Sequence, residues 1–162
     1  MSKHFTHTLF LAGAALSLAL LTGCAAQVPV QAPSASTQAK LFEDPAPGKA
    51  GVYIYREDNL ILGAGLYKDL YIDGVCLGET APGVFFYTEV EGGKEHTFAT
   101  ESEFGTNELK VFTEAGKNYF FEQFVTWGVF VYGADIRQVT EADGKQMIQS
   151  YQQAIPGTCS NQ

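Results

Sequence analysis

The side chains here that could do chemistry are a few histidines, some closely spaced carboxylates, one serine between glutamates, and three cysteines. His96 has neither a second histidine nor a close cysteine at the spacing that zinc requires. Asp69 and Asp73 flank a short run but lack the further oxygen ligands of a calcium loop. Ser102 stands in Glu101-Ser102-Glu103, without the flanking glycines of a nucleophile elbow. Glu89, Glu91 and Glu95, with His96, could act as acid and base on a glycoside, given two carboxylates roughly 5 to 10 Å apart across a cleft. On a strand end and a Gly-Gly turn they fit a solvated acidic rim more simply. No glycine-rich phosphate loop opens a helix. These residues therefore predict no catalytic group, no metal, no cofactor and no enzyme.

Cys24 is different, because of what precedes it. Lys3 is followed by an apolar stretch, Thr8 to Leu21, and no acidic residue occurs before Glu43. A positive start, a short apolar run and small residues at the exit describe a signal peptide over residues 1–23. The run is shorter than the ~20 residues that span a bilayer. Leu21-Thr22-Gly23-Cys24 resembles the lipobox of bacterial lipoproteins. That resemblance implies cleavage before Cys24, a diacylglyceryl group on its sulfur and an acyl chain such as palmitate on the new amine. Two or more chains, at ~0.8 kcal/mol per buried CH₂, hold a protein stably on a membrane. Ala25, rather than Asp, follows the cysteine, which implies the outer membrane facing the periplasm in a diderm host. The alternative is a secreted protein cut after Ala26.

The 162 residues carry a formal charge of −8. Loss of residues 1–23 removes Lys3 and leaves 139 residues at −9. That balance excludes nucleic acid as a partner, which needs clustered Lys and Arg. It also excludes electrostatic attachment to anionic lipid, so acyl chains are the expected membrane contact. Cys76 and Cys159 either pair, as thiols in an oxidising compartment commonly do, or stand as two independent thiols. A bridge between them would constrain the unfolded chain by about 4 kcal/mol.

Residues 24–48, the anchor cysteine and a Pro-, Ala- and Ser-rich stretch, read as a flexible tether. Fully extended, it would reach about 70 Å. Residues 49–140 form short β-type runs. Gly51–Arg56 alternates Val52 and Ile54 with Tyr53 and Tyr55. Asp73-Gly74 is the strongest hairpin signal, pairing Ile72 with Val75, Tyr71 with Cys76 and Leu70 with Leu77. Strands 84–90, 96–101, 107–114 and 118–125 follow, with 129–133 and 134–139 as one or two more. The turns Glu91–Lys94 and Ala115–Lys117 separate successive pairs. Over residues 141–162, Met147, Ile148, Tyr151 and Ile155 have helical spacing behind Thr140 as a cap, with a start near Asp143 or later expected because Gly144 weakens the first turn. The fold expected is a mostly β sandwich of about seven to eight strands with a C-terminal helix packed on it.

Aromatic content is high in Tyr119–Tyr132. A core with a helix-covered sheet face accounts for most of it. Alternation turns some rings outward, so Tyr53, Tyr55, Tyr71, Tyr87 and Trp127 are the candidate binding surface for a sugar or an apolar partner.

The segments "GVYIYR", "LYIDGVCLGET", "GVFFYTEVEGGKEHTF" and "ELKVFTEAGKNYFFEQ" resemble an uncharacterised family of small bacterial lipoproteins, a domain of unknown function. They are also similar to PEGA-type repeats, although Gly92–His96 is one residue longer than the usual glycine turn of those repeats. The resemblance spans about residues 50–140 and implies a small prealbumin- or immunoglobulin-like β-sandwich without known catalytic residues. The reading is a lipid-anchored, non-enzymatic binding or accessory module for an envelope protein or polysaccharide. The alternatives are a structural spacer in an envelope assembly or a cell-wall glycan hydrolase.

Overall fold

The computed structural model describes residues 27–58 and 63–160. The expected signal peptide and Cys24 lie outside these residues. The described chain runs α1 (Pro33–Ala39), β1 (Lys49–Arg56), β2 (Lys68–Ile72), β3 (Val75–Thr80), β4 (Val84–Glu91), β5 (Lys94–Ser102), β6 (Gly105–Thr113), β7 (Asn118–Thr126), β8 (Gly133–Val139), α2 (Glu141–Gln149) and β9 (Gln152–Gln153). The strands form a five-stranded sheet ordered β8-β7-β1-β4-β9 and a four-stranded sheet ordered β3-β2-β5-β6. The fold is mostly β and sandwich-like, with a C-terminal helix, as the sequence pattern predicts.

β1 is the central strand, antiparallel to β4 and parallel to β7. Its alternation sends Val52 and Ile54 between the sheets, where they meet Leu70, Phe86, Phe98 and Phe121. Phe98 and Phe121 bring their ring centroids to 4.3 Å across the gap between the sheets. A polar link crosses the same layer: Gln123 Nε2 donates to Thr100 Oγ1 at 2.6 Å, and that hydroxyl donates to Asp69 O at 2.9 Å.

The other face of β1 is also covered. Tyr53 and Tyr55 pack with Phe85, Phe120, Ile148, Tyr151 and Ala39 beneath the two helices. Residues 27–48 are thus not a free tether over the described part. Gln31 N–H donates to Gln153 O, Val30 bridges Ala154, and α1 buries Ser36 and Ala39. Proline at the start of α1 costs nothing, because its missing N–H falls among the first-turn donors that have no partner anyway. The composition concealed a short helix that folds because the sheet offers it an apolar face.

Asp73 and Gly74 both have positive φ, as a two-residue hairpin turn requires. Ile72 pairs with Val75 and Tyr71 with Cys76, but a bulge then places Leu70 opposite Gly78 rather than Leu77. The Glu91–Lys94 and Ala115–Lys117 turns carry the chain from one sheet to the other. Residues 129–132 form no strand; only 133–139 pairs with β7. α2 begins at Glu141, two residues before the earliest expected start, and Thr140 Oγ1 accepts the Asp143 N–H at 3.2 Å. Gly144 belongs in that first turn because it lies against the sheet: a Cβ there would sit 2.5 Å from Phe120 Cβ. Ile155 falls beyond the helix and is exposed.

Candidate functional site

Of the five aromatics expected to form one binding surface, the structure exposes Trp127 and encloses others. Tyr53 is 1 % exposed, stacks on Phe120 at 5.0 Å and donates its hydroxyl to Ala39 O at 3.0 Å. Burial pushes its pKa far up, with Tyr87 and Glu43 adding to the shift. Tyr55 is likewise buried and pushed up to about 12, by desolvation first and then by Glu122. Alternation did turn both away from the sandwich interior, but α1 and α2 cover the face they turn to. Tyr71 and Tyr87 are half-buried and donate to Asp69 and Glu89, each at 3.0 Å. The five residues do not form one surface.

The glycosidase candidates are each engaged structurally or exposed. His96 is 2 % exposed, with Nδ1 2.6 Å from Asp73 Oδ2 and Nε2 2.8 Å from Glu91 O. Glu91 pairs with Lys49, and Glu89 accepts from the Ala46 N–H and Tyr87. Glu95 is exposed. His96 therefore fastens the β2–β3 turn to the end of β4. Asp73 is desolvated, which favours its neutral form, but the Thr97 N–H and His96 outweigh this and hold its carboxyl below the usual range. Among the described residues no group of His, Cys, Asp and Glu is arranged to hold a metal ion.

Cys76 and Cys159 are joined by a disulfide that closes an 83-residue separation. Beside it, Ser160 donates from its N–H and Oγ to the buried carboxylate of Asp69 at 3.0–3.1 Å. The tail is thereby held across the β2–β3 edge, on the face where the hairpin register puts Cys76.

Five of the most exposed apolar residues lie at one end of the sandwich, while Leu41, Val75 and Phe112 are exposed elsewhere. β7 stops at Thr126, and Trp127, Val129, Phe130 and Val131 are 73, 77, 83 and 57 % exposed. Phe104, in the β5–β6 turn, is 78 % exposed. Glu103, beside it, accepts N–H groups of Val129, Phe130 and Val131 and so joins this turn to the loop. Partial desolvation raises the Glu103 pKa, but these three donors outweigh it and keep the carboxylate ionised. Trp127 packs against Tyr132 with ring centroids 4.7 Å apart. The sequence pattern singled out Trp127, and Phe130 within the same aromatic run, but not Phe104, Val129 or Val131. The available signal was a run of apolar residues beside Gly128 with no alternating polar partner.

The same end is closed by a buried arginine. Arg56 is 2 % exposed, and its guanidinium donates to the carbonyls of Leu66 and Gly63 at 2.6 and 2.7 Å. Desolvation lowers its pKa to about 10. The N-terminal part of the described chain arrives here also: Gln27 N–H donates to Tyr67 Oη at 3.1 Å, and Gln27 lines a hollow with Ala81, Pro82 and Gly83.

Fold and surface together define a helix-backed β-sandwich with one solvent-facing apolar loop. The chain belongs to a family described as proteins of unknown function, DUF2846, whose model matches residues 46–134. It is 43 % identical over 152 residues to an uncharacterized protein of Haemophilus influenzae, covering 94 % of this chain and 89 % of that one. No solved structure matches.

Proposed function

We propose that this protein is a lipid-anchored, non-enzymatic accessory or binding module of the bacterial envelope, held by acyl chains on Cys24. The observation that carries the reading is Leu21-Thr22-Gly23-Cys24 at the end of a short apolar run behind Lys3. The placement at the outer membrane facing the periplasm follows from Ala25 after the cysteine. A disulfide in the folded domain accords with an oxidising compartment. The kinship with PEGA-type repeats belongs to the same proposal and is supported by the Asp73-Gly74 hairpin within a sandwich.

A structural accessory role is favoured over a tyrosine platform for polysaccharide, because Tyr53 and Tyr55 are enclosed. A glycan hydrolase is the least favoured reading, because His96 is buried and both its ring nitrogens already face oxygen atoms. Fractionation of cells producing the wild type and Cys24→Ser tests the anchor. The wild type is expected with membranes and the variant in a soluble or uncleaved form. Equal recovery of both as soluble, processed protein would remove the proposal.

A further inference from the structure

The expected tether of about 70 Å shrinks once the fold is known. Only Ala25 and Ala26 separate Cys24 from Gln27, the first described residue. At ~3.3–3.6 Å per residue, Gln27 stands within about 11 Å of the anchor cysteine. Acyl chains on Cys24 would therefore bring one end of the sandwich against the bilayer.

That end carries the Trp127 loop and Phe104. Arg56, the last residue of β1, lies opposite Gln123 of β7 and Val84 of β4. β7 continues from Gln123 into the Trp127 loop, and Val84 follows the Ala81-Pro82-Gly83 turn that Gln27 lines. Gly83 N–H donates to Arg56 O, which fixes that turn at this end. In the second sheet, Lys68 beside Tyr67 pairs with Glu101, just before the Phe104 turn. The anchor-proximal chain and the exposed loop thus lie at one end, at opposite edges of the five-stranded sheet.

We propose that Trp127, Val129, Phe130, Val131 and Phe104 seat in the interfacial zone of the bilayer that holds the Cys24 acyl chains. The inference rests on the lipid-anchor reading and names what the loop contacts. The chemistry of the tip fits lipid better than sugar: from Trp127 to Val131 the indole N–H of Trp127 is the sole side-chain group that could read hydroxyl groups. Tryptophan and tyrosine concentrate at membrane interfaces, where an apolar ring and a polar edge are both accommodated. Backbone N–H groups entering a bilayer need acceptors, and Glu103 already supplies one to Val129, Phe130 and Val131. The tip has no basic residue, so its seating is independent of anionic lipid. Two attachments, the acyl chains and the loop, fix the domain's orientation and leave the opposite end facing away from the membrane.

Trp127 is the only tryptophan of the chain, so its fluorescence reports on the loop alone. The test uses the full protein, purified from membranes and reconstituted into phosphatidylethanolamine–phosphatidylglycerol vesicles with or without brominated acyl chains. The expected result is blue-shifted emission, protection from acrylamide and a twofold or greater loss of intensity with brominated lipid, whatever the phosphatidylglycerol fraction. Phe130→Ser with Val129→Ser should abolish that loss while the thermal unfolding curve stays cooperative. Water-like emission without bromine quenching, on protein whose N-terminal peptide mass shows acyl chains, overturns the seating and leaves the anchor intact. If the mass shows no chains, the anchor reading fails. The chain from Cys24, coupled through that thiol to a maleimide-headgroup lipid, then decides the seating by the same quenching. A blue shift that persists without lipid and grows with protein concentration assigns the loop to a second copy and overturns the proposal.

Discussion

Removing the bridge between Cys76 and Cys159 is the perturbation whose size follows most directly from the fold. The two residues are 83 apart, so the bridge closes most of the folded domain into one loop. Loop-closure entropy for that length gives about 4.5 kcal/mol at 25 °C, lost when the unfolded chain is released. For a domain of this size roughly 3–4 °C accompanies each kcal/mol, so the melting temperature should fall by about 15 °C. The native contacts survive the change, because Ser160 still clasps Asp69 and Gly157 N–H still donates to Leu77 O. Circular-dichroism melts of Cys76→Ser with Cys159→Ser, and of the wild type with a phosphine reductant, should agree. A fall of only a few degrees in both would refute the entropic account. A large fall in the variant alone would point instead to damage at the Cys159 site.

Gly144→Ala sets helix propensity against packing. Propensity alone would stabilise α2 by about 1 kcal/mol, whereas a Cβ 2.5–2.6 Å from Phe120 atoms should cost roughly 1–3 kcal/mol by overpacking. Urea denaturation is expected to show net destabilisation; a more stable variant would mean that the helix shifts freely over the sheet. Asp73 should contribute to acid sensitivity. Its folded pKa is lower than the ordinary 3.8, so its stabilisation is complete above that value and is lost as pH falls through the folded one. Asp73→Asn should lower the urea midpoint near neutral pH and converge with the wild type in acid; parallel pH profiles would contradict this.

The parts of the fold readable from sequence were those set by neighbours along the chain. Asp73-Gly74 dictates its own turn, Val52 and Ile54 share a face by alternation, and Thr140 supplies the hydroxyl that starts α2. What escaped was set by distant partners. Alternation shows that Tyr53 and Tyr55 share a face, but not that residues 33–39 and α2 cover it. A glycine turn shows where a strand ends, but not that the next strand joins the other sheet. The apolar end was half legible: Trp127 stood out by type, while Phe104 joins it only because Glu103 reaches across to the backbone of residues 129–131. Proline-rich composition argued for a tether because it carries no periodic apolar pattern, yet seven residues sufficed for a helix once the sheet offered a surface.

Intact mass of the N-terminal peptide from protein extracted out of bacterial membranes tests the central claim most directly. A peptide beginning at Cys24 and heavier by a diacylglyceryl group, with or without a further acyl chain, is the predicted result. An unmodified peptide beginning at Cys24 or Gln27, or a chain that retains residues 1–23, would contradict it.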